Sequence, residues 1–125
     1  MKIAKGHQPV MPYLILENAE GFIDFAKKVF NASEVYKGYR DDNSGKIVHA
    51  EVQMNSCNIM IADTTEDFGA ATANLFVYVD DADATYKIAL ENGATIVNDM
   101  ADQSYGRSGG VQDPFGNVWW ITSMK

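Results

Sequence analysis

Asp113-Pro114-Phe115-Gly116-Asn117-Val118-Trp119-Trp120-Ile121 is a tight turn that runs directly into a strand. Pro114 presets φ near about −65° and Gly116 can take the positive φ that closes the turn. The residues that follow are β-branched and aromatic, as in a buried strand. Alternation along that strand sends Trp119 and Trp120 to opposite faces, so one packs and the other is available for something else. Immediately upstream, Tyr105-Gly106-Arg107-Ser108-Gly109-Gly110-Val111-Gln112 reads as the preceding strand, with a glycine pair that permits close approach to its backbone.

Working outward, the rest of the chain reads as one pattern written twice. Residues 9–17 form an apolar strand whose prolines, Pro9 and Pro12, place its beginning at an edge. Asn18 is a helix N-cap with Glu20 in the first turn, and Phe22, Ile23, Phe25, Ala26, Val29 and Phe30 follow at helical spacing. Lys27 and Lys28 fall on the outer side. Three strands come next, at about residues 33–41, 46–54 and 57–64, separated by the turn sequences Asp42-Asn43-Ser44-Gly45 and Asn55-Ser56. After a polar linker at 65–73 the order restarts: a strand at 74–81, a helix at 82–92 stopped by Gly93, then strands at 94–100, 106–112 and 117–124. The chain is therefore an α+β domain of two βαβββ modules, about 9–64 and 74–124. Packed edge to edge, they predict an open, curved mixed sheet with helices outside and a cavity within. A ferredoxin-like α+β sandwich is a second reading of the same string.

The composition narrows the function. The 125 residues make one domain's worth of chain, and 46% hydrophobic content is ordinary for a soluble core. A net charge of −7 argues against nucleic-acid binding, which needs a clustered basic face; it suits solubility and would attract a cationic ligand. No apolar run has the length of a membrane span and no secretory h-region is evident, so the expectation is a cytoplasmic protein without a membrane partner. Cys57, the only cysteine, cannot form an intrachain disulfide, and at the head of an apolar run it is expected to be a small buried hydrophobe.

The closing turn and its upstream strand resemble the final hairpin of the vicinal oxygen chelate superfamily, which includes glyoxalase I, bleomycin-resistance proteins and ring-cleaving dioxygenases. The similarity is greatest to its PhnB-like branch. It extends over Pro12-Tyr13-Leu14, Asn18-Ala19-Glu20, Ile23-Asp24-Phe25 and Val79-Asp80-Asp81-Ala82-Asp83-Ala84, and so covers nearly the whole chain. The resemblance selects the two-module curved sheet over the ferredoxin-like reading. It also implies a homodimer, because members commonly complete their cavities across two modules or two chains.

Catalytic members hold a divalent metal with His and Glu side chains at four strand positions related by the internal repeat, where the metal polarises substrate oxygens. Those positions map here to about Met11, Met60, Asn74 and Trp120. None is a usual ligand for such a cation, so no metal cofactor is expected. In their place stand large, polarizable groups. Asn74, Phe76 and Tyr78 share a strand face, and with Trp120, Met60 and Met11 they read either as core filling or as a pocket for a flat or apolar ligand. His49 and Glu51 alternate with Gln53 on one face and read as cavity-lining polar groups, as a solvent-facing stripe or, in an arrangement unusual for this fold, as a metal pair. The other histidine, His7, is expected in a flexible terminal segment. Tyr105 and Arg107 stand just before the last-but-one strand, beside the Gly109-Gly110 pair. Arg107 suits either a ligand carboxylate or phosphate, or a structural salt bridge with one of the 17 acids.

The leading expectation is a metal-independent small-molecule binding protein of bleomycin-resistance type that sequesters a planar, apolar or cationic compound. A metal-dependent glyoxalase-like lyase, isomerase or dioxygenase is the first alternative. A pseudo-enzyme with a filled cavity is the second.

Overall fold

In the computed structural model, which describes residues 1–124, the elements run β1 (Tyr13–Leu16), α1 (Ala19–Phe30), β2 (Ser33–Tyr39), β3 (Ile47–Met54), β4 (Cys57–Asp63), β5 (Asn74–Tyr78), α2 (Ala82–Glu91), β6 (Thr95–Gln103), β7 (Gly106–Gln112) and β8 (Val118–Ser123). The order strand, helix, strand, strand, strand occurs twice. Each repeat forms its own four-stranded mixed sheet, β1-β4-β3-β2 (sheet 1) and β5-β8-β7-β6 (sheet 2). In both, the first and last strands of the module pair in parallel and the remaining pairs are antiparallel.

The two sheets do not merge into the single curved sheet that edge-to-edge packing predicts. β1 is hydrogen-bonded to β4 and β5 to β8, but β1 and β5 are not bonded to each other. The free edge of β1 is met by the linker, where Ile15 and Ala71 exchange backbone hydrogen bonds of 3.1 and 2.8 Å. One face of each sheet, here called the inner face, joins a common core with the helices. Leu14, Leu16, Ile47, Ala50, Val52 and Ile61 from sheet 1 belong to the same buried cluster as Val111, Trp119 and Ile121 from sheet 2.

β1 starts at Tyr13, later than the apolar run beginning at Pro9 predicts. Pro9 and Pro12 have no N–H to donate to a ladder. The Gln8 side chain supplies the missing strand contacts instead, donating from Nε2 to the Asn58 carbonyl at 2.8 Å and accepting the Asn58 N–H at 3.2 Å. Helix α1 starts where the sequence indicates: the Asn18 side chain accepts the Gly21 N–H. A second acceptor comes from far along the chain. The buried carboxylate of Asp63 takes the Ala19 N–H at 2.9 Å and the Ile47 N–H at 2.6 Å, tying the ends of α1, β3 and β4 together.

The closing turn does more than reverse the chain. Asp113 is 3% exposed, and its carboxylate accepts the backbone N–H groups of Phe115 and Asn117, the Asn117 side-chain amide and the Trp119 indole N–H, all within 2.9–3.0 Å. Gly116 closes the turn at φ 97°. The oriented Trp119 ring then stacks on Phe22 (6.2 Å between centroids, 20° between planes) and lies 4.5 Å from Phe30, both from α1 of the first module. Phe115 meets Phe22 and Phe25 edge-on. Burial of each such ring contributes roughly 1.5–3 kcal/mol, so this aromatic seam is a principal attachment between modules.

A further expectation is overturned. Cys57 is exposed rather than buried. It is the first residue after the Asn55-Ser56 turn, and the buried run of β4 begins only with Asn58 and Ile59.

Replacing Asp113 by Ala strands the Trp119 indole and Asn117 amide donors in the interior and is expected to cost about 3 kcal/mol in urea denaturation. A loss below about 1 kcal/mol would remove Asp113 from its organising role. By the same packing argument Trp119→Ala costs roughly 3–5 kcal/mol, whereas Trp120→Ala, on the opposite face, costs no more than about 1 kcal/mol. Equal losses at the two positions would contradict the assignment of faces.

Candidate functional site

The faces of the two sheets directed away from the shared core carry most of the candidate residues; Arg107 lies in the inner-face register of β7 and turns to α2. On sheet 2, Trp120 pairs across the ladder with Phe76 on one side and Gly110 on the other. Its indole N–H donates to Asn74 Oδ1 at 3.2 Å, bringing together two of the positions mapped from sequence. Phe76 and Tyr78 are 50% and 59% exposed, a costly display of apolar surface unless something covers it. Their rings lie 5.2 Å apart, and Tyr105 lies 6.1 Å from Phe76. Asn74, Phe76, Tyr78, Tyr105 and Trp120 therefore make one aromatic surface.

Arg107 stands at the same end of the sheet but is engaged. Nε and one terminal nitrogen each donate to the Asp83 carboxylate at 3.1 Å, and the other terminal nitrogen is 3.6 Å from Asp102. The guanidinium hydrogen bonds hold the Asp83 carboxyl below the ordinary range and raise Arg107 further. In this structure the guanidinium fork is occupied by protein acids.

On sheet 1, Met60 lies between Tyr13 and Glu51 in the ladder. His49 is half-buried with its Nδ1 3.2 Å from the Tyr13 hydroxyl; the Tyr13 and Tyr36 rings lie 5.4 and 6.1 Å from the imidazole. Glu51 is buried at 6% exposure and held from two sides: His7 Nε2 is 3.0 and 2.9 Å from its two oxygens, and Asn58 Nδ2 donates at 2.5 Å. The segment around His7 is thus fastened to the sheet through Glu51 and Gln8, contrary to the expectation of a flexible terminus. A buried carboxylate needs a cationic or N–H partner, and no lysine or arginine forms an ion pair with it among the described residues. Met11 is half-buried just before Pro12, whose carbonyl accepts the Met60 N–H.

Tyr13, Tyr36 and His7 were not singled out for the site by sequence. Tyr13 was legible in principle, since it alternates with the buried Leu14; Tyr36 was not, because the ladder shifts register between Glu34 and Tyr36 and its neighbours are the exposed Val35 and the charged Lys37. The His7 contact joins residues 44 apart and left no local signal.

The donor set does not fit a divalent cation. Met11 and Met60 offer thioethers, Trp120 offers only a donor, and the Asn74 oxygen already accepts that donor. Among the described residues no group of three or more His, Cys, Asp and Glu side chains is placed to hold a metal ion.

Nor do the two aromatic faces meet within the chain. A cavity of about 560 Å³ lies at the seam between modules, bounded by Gln8, Pro12, Cys57, Leu75 and Phe76. Another of about 570 Å³ lies between the end of α1 and Asp80 and Asp81. Neither is lined by Trp120, Met60, His49 or Glu51.

Comparison with known proteins agrees with this architecture. The profile of the Glyoxalase/Bleomycin resistance protein/Dioxygenase superfamily matches residues 10–121. The protein Mb0911c of Mycobacterium bovis is 34% identical over 86% of this chain and 78% of its own length. Among solved structures, a PhnB protein from Bacillus cereus shares the fold with a TM-score of 0.73 at 19% identity, covering 93% of this chain and 99% of that one. TnmS3 from Streptomyces sp. CB03234, described as an antibiotic binding protein, has a TM-score of 0.70 at 17% identity over 95% of this chain and 100% of its own. The two repeated modules, the closing turn and the profile match lead to one conclusion: the chain belongs to the glyoxalase/bleomycin resistance protein/dioxygenase superfamily.

Proposed function

We propose that this protein is a metal-independent small-molecule binding protein of bleomycin-resistance type, sequestering a planar, apolar or cationic compound as a cytoplasmic homodimer. The observation that carries this reading is the pair of uncovered aromatic faces, Trp120-Phe76-Tyr78 on one sheet and Tyr13-His49-Tyr36 on the other. Both lie opposite the shared core, so a single chain cannot close them on one ligand. A second copy supplies the solution: sheet 1 of one protomer set against sheet 2 of the other buries both faces and creates two equivalent composite cavities. The fold shared with an antibiotic binding protein is consistent with this use, and the net charge of −7 favours cationic compounds. A lone cysteine suits the reducing cytoplasm, and no described helix is long and apolar enough to cross a membrane.

Sedimentation equilibrium at micromolar concentration is expected to give the mass of a dimer; a monomer throughout would remove the composite cavity. Complementation gives a sharper result. Trp120→Ala and His49→Ala chains are each expected to lose at least about tenfold in affinity for a hit from a tryptophan-quenching screen of aromatic cations, the equivalent of about 1.4 kcal/mol. When the two variants are unfolded together and refolded, the mixed dimer regains one intact site, and tight binding reappears at substoichiometric level. No recovery on mixing would locate the site within a single chain.

A further inference from the structure

The two modules are zipped together at one point and held apart beyond it. Ile15 and Ala71 exchange backbone hydrogen bonds in the antiparallel sense, and from Ala71 the chain continues into β5, back along the line by which it entered β1. Hydrogen-bond parity shows what lies between those two lines. The Pro12 and Leu16 carbonyls accept the Met60 and Thr64 N–H groups, so even-numbered residues of β1 face β4, and the backbone N–H and C=O of Tyr13 are turned to the other edge, the one Ile15 uses. In the second module the Ala73 carbonyl accepts the Val118 N–H and the Val79 N–H donates to the Thr122 carbonyl. Odd-numbered residues of β5 therefore face β8, and the N–H and C=O groups of Phe76 and Tyr78 are turned to the free edge, where β5 has no partner strand. The cavity of about 560 Å³ at the seam occupies this gap. Four consecutive residues of β5, Leu75 to Tyr78, border it, so it follows the edge of the strand and not one of its faces, and Gln8, Val10 and Pro12 border it from the side of β1. An unpaired strand edge is a template for another strand.

We propose that the seam cavity is a slot for a short, extended, apolar peptide with a free amino terminus, which adds to β5 as a further strand. The edge from Asn74 to Tyr78 is about 17 Å long, the reach of about four or five extended residues. The Ile15–Ala71 bridge closes one end, so the occupant is a free peptide and not the tail of a larger chain. The other end opens on the cavity of about 570 Å³, with which the slot shares Asn55 and Tyr78. Asp80 and Asp81 border that cavity together with Val29 and Phe30, from the last turn of α1, where the helix carbonyls carry a partial negative charge. An ammonium group is favoured there, which sets the direction: with its amino end beside Tyr78, the peptide runs antiparallel to β5. Its alternate side chains then meet Leu75, Val77 and Trp119 on one side of the strand and Phe76 and Tyr78 on the other, so apolar residues are selected at both. The slot lies within one chain and requires neither a second copy nor the outer faces.

The test uses the full-length protein and the tetrapeptide Val-Ala-Val-Ala amide, with Cys57, exposed at the border of the slot, as reporter. Bound peptide is expected to slow the alkylation of Cys57 by iodoacetamide about fivefold or more at saturation. It is also expected to slow hydrogen exchange at the Phe76 and Tyr78 amides, which in the free protein exchange as unpaired groups. Methylating the internal amide nitrogens of the peptide is expected to weaken binding about tenfold, and octylammonium, which keeps a charge and an apolar chain but has no amides, is expected to bind about tenfold more weakly than the peptide. Acetylating the amino terminus is expected to cost about threefold in the wild type and nothing in Asp80→Asn, a change at an exposed position. Phe76 and Tyr78 amides already protected in the free protein would overturn the open edge. Methylated peptide or octylammonium bound as tightly as the unmodified peptide, or Cys57 protected with no change in exchange at Phe76 and Tyr78, would overturn strand addition. An acetylated peptide bound by the wild type as tightly as the free amine would overturn the acidic end and the direction it sets. No protection of Cys57 at about 5 mM peptide would overturn the slot itself, and would leave the outer faces untouched.

Discussion

The hydrogen bond from the Trp119 indole to the Asp113 carboxylate is the constraint on which the rest of the molecule depends. Asp113 is buried without a cation beside it, and its charge is satisfied by N–H groups that its own turn supplies. That network sets where β8 begins. Because side chains alternate along a strand, a slip of one residue would send Trp120 into the core and Trp119 to the outside. The same carboxylate therefore decides how the modules are joined, through the stack of Trp119 on Phe22 and Phe30, and which aromatic ring is left free.

A second buried carboxylate does comparable work in the first module. Asp63 accepts N–H groups from the start of α1 and the start of β3, while Arg40 donates to the backbone carbonyls of Asp63 and Thr64. The helix N-terminus carries unpaired donors and a partial positive charge, so an acidic side chain there is favourable even without a lysine or arginine. Each module thus has an acidic hub built on main-chain donors. This leaves most charged side chains at the surface.

With both inner faces committed to a common core, the chain has two outer faces that differ in character. Sheet 2 presents Phe76, Tyr78 and Trp120 beside the polar Asn74. Sheet 1 combines tyrosines and His49 with the buried Glu51, whose carboxylate is hydrogen-bonded by His7 and Asn58. Asn74 and Trp120, two of the positions mapped from the sequence resemblance, are hydrogen-bonded to one another.

The alternation of apolar residues, the Asn18 cap, the turn sequences and the twofold repeat are local properties, and from them the sequence by itself determined the order and kind of the elements, with boundaries displaced at the start of β1, where prolines removed strand donors, and at the ends of β5 and β6. The split of Trp119 and Trp120 between faces was likewise a matter of parity along a strand. What only the tertiary structure decided are relations between residues far apart in the chain: two separate sheets in place of one, the fastening of His7 to Glu51, the exposure of Cys57 and the occupation of Arg107 by Asp83. Periodicity reports which face of an element is apolar; it carries no information about which other surface that face will meet, because that choice is made by the packing of the whole core.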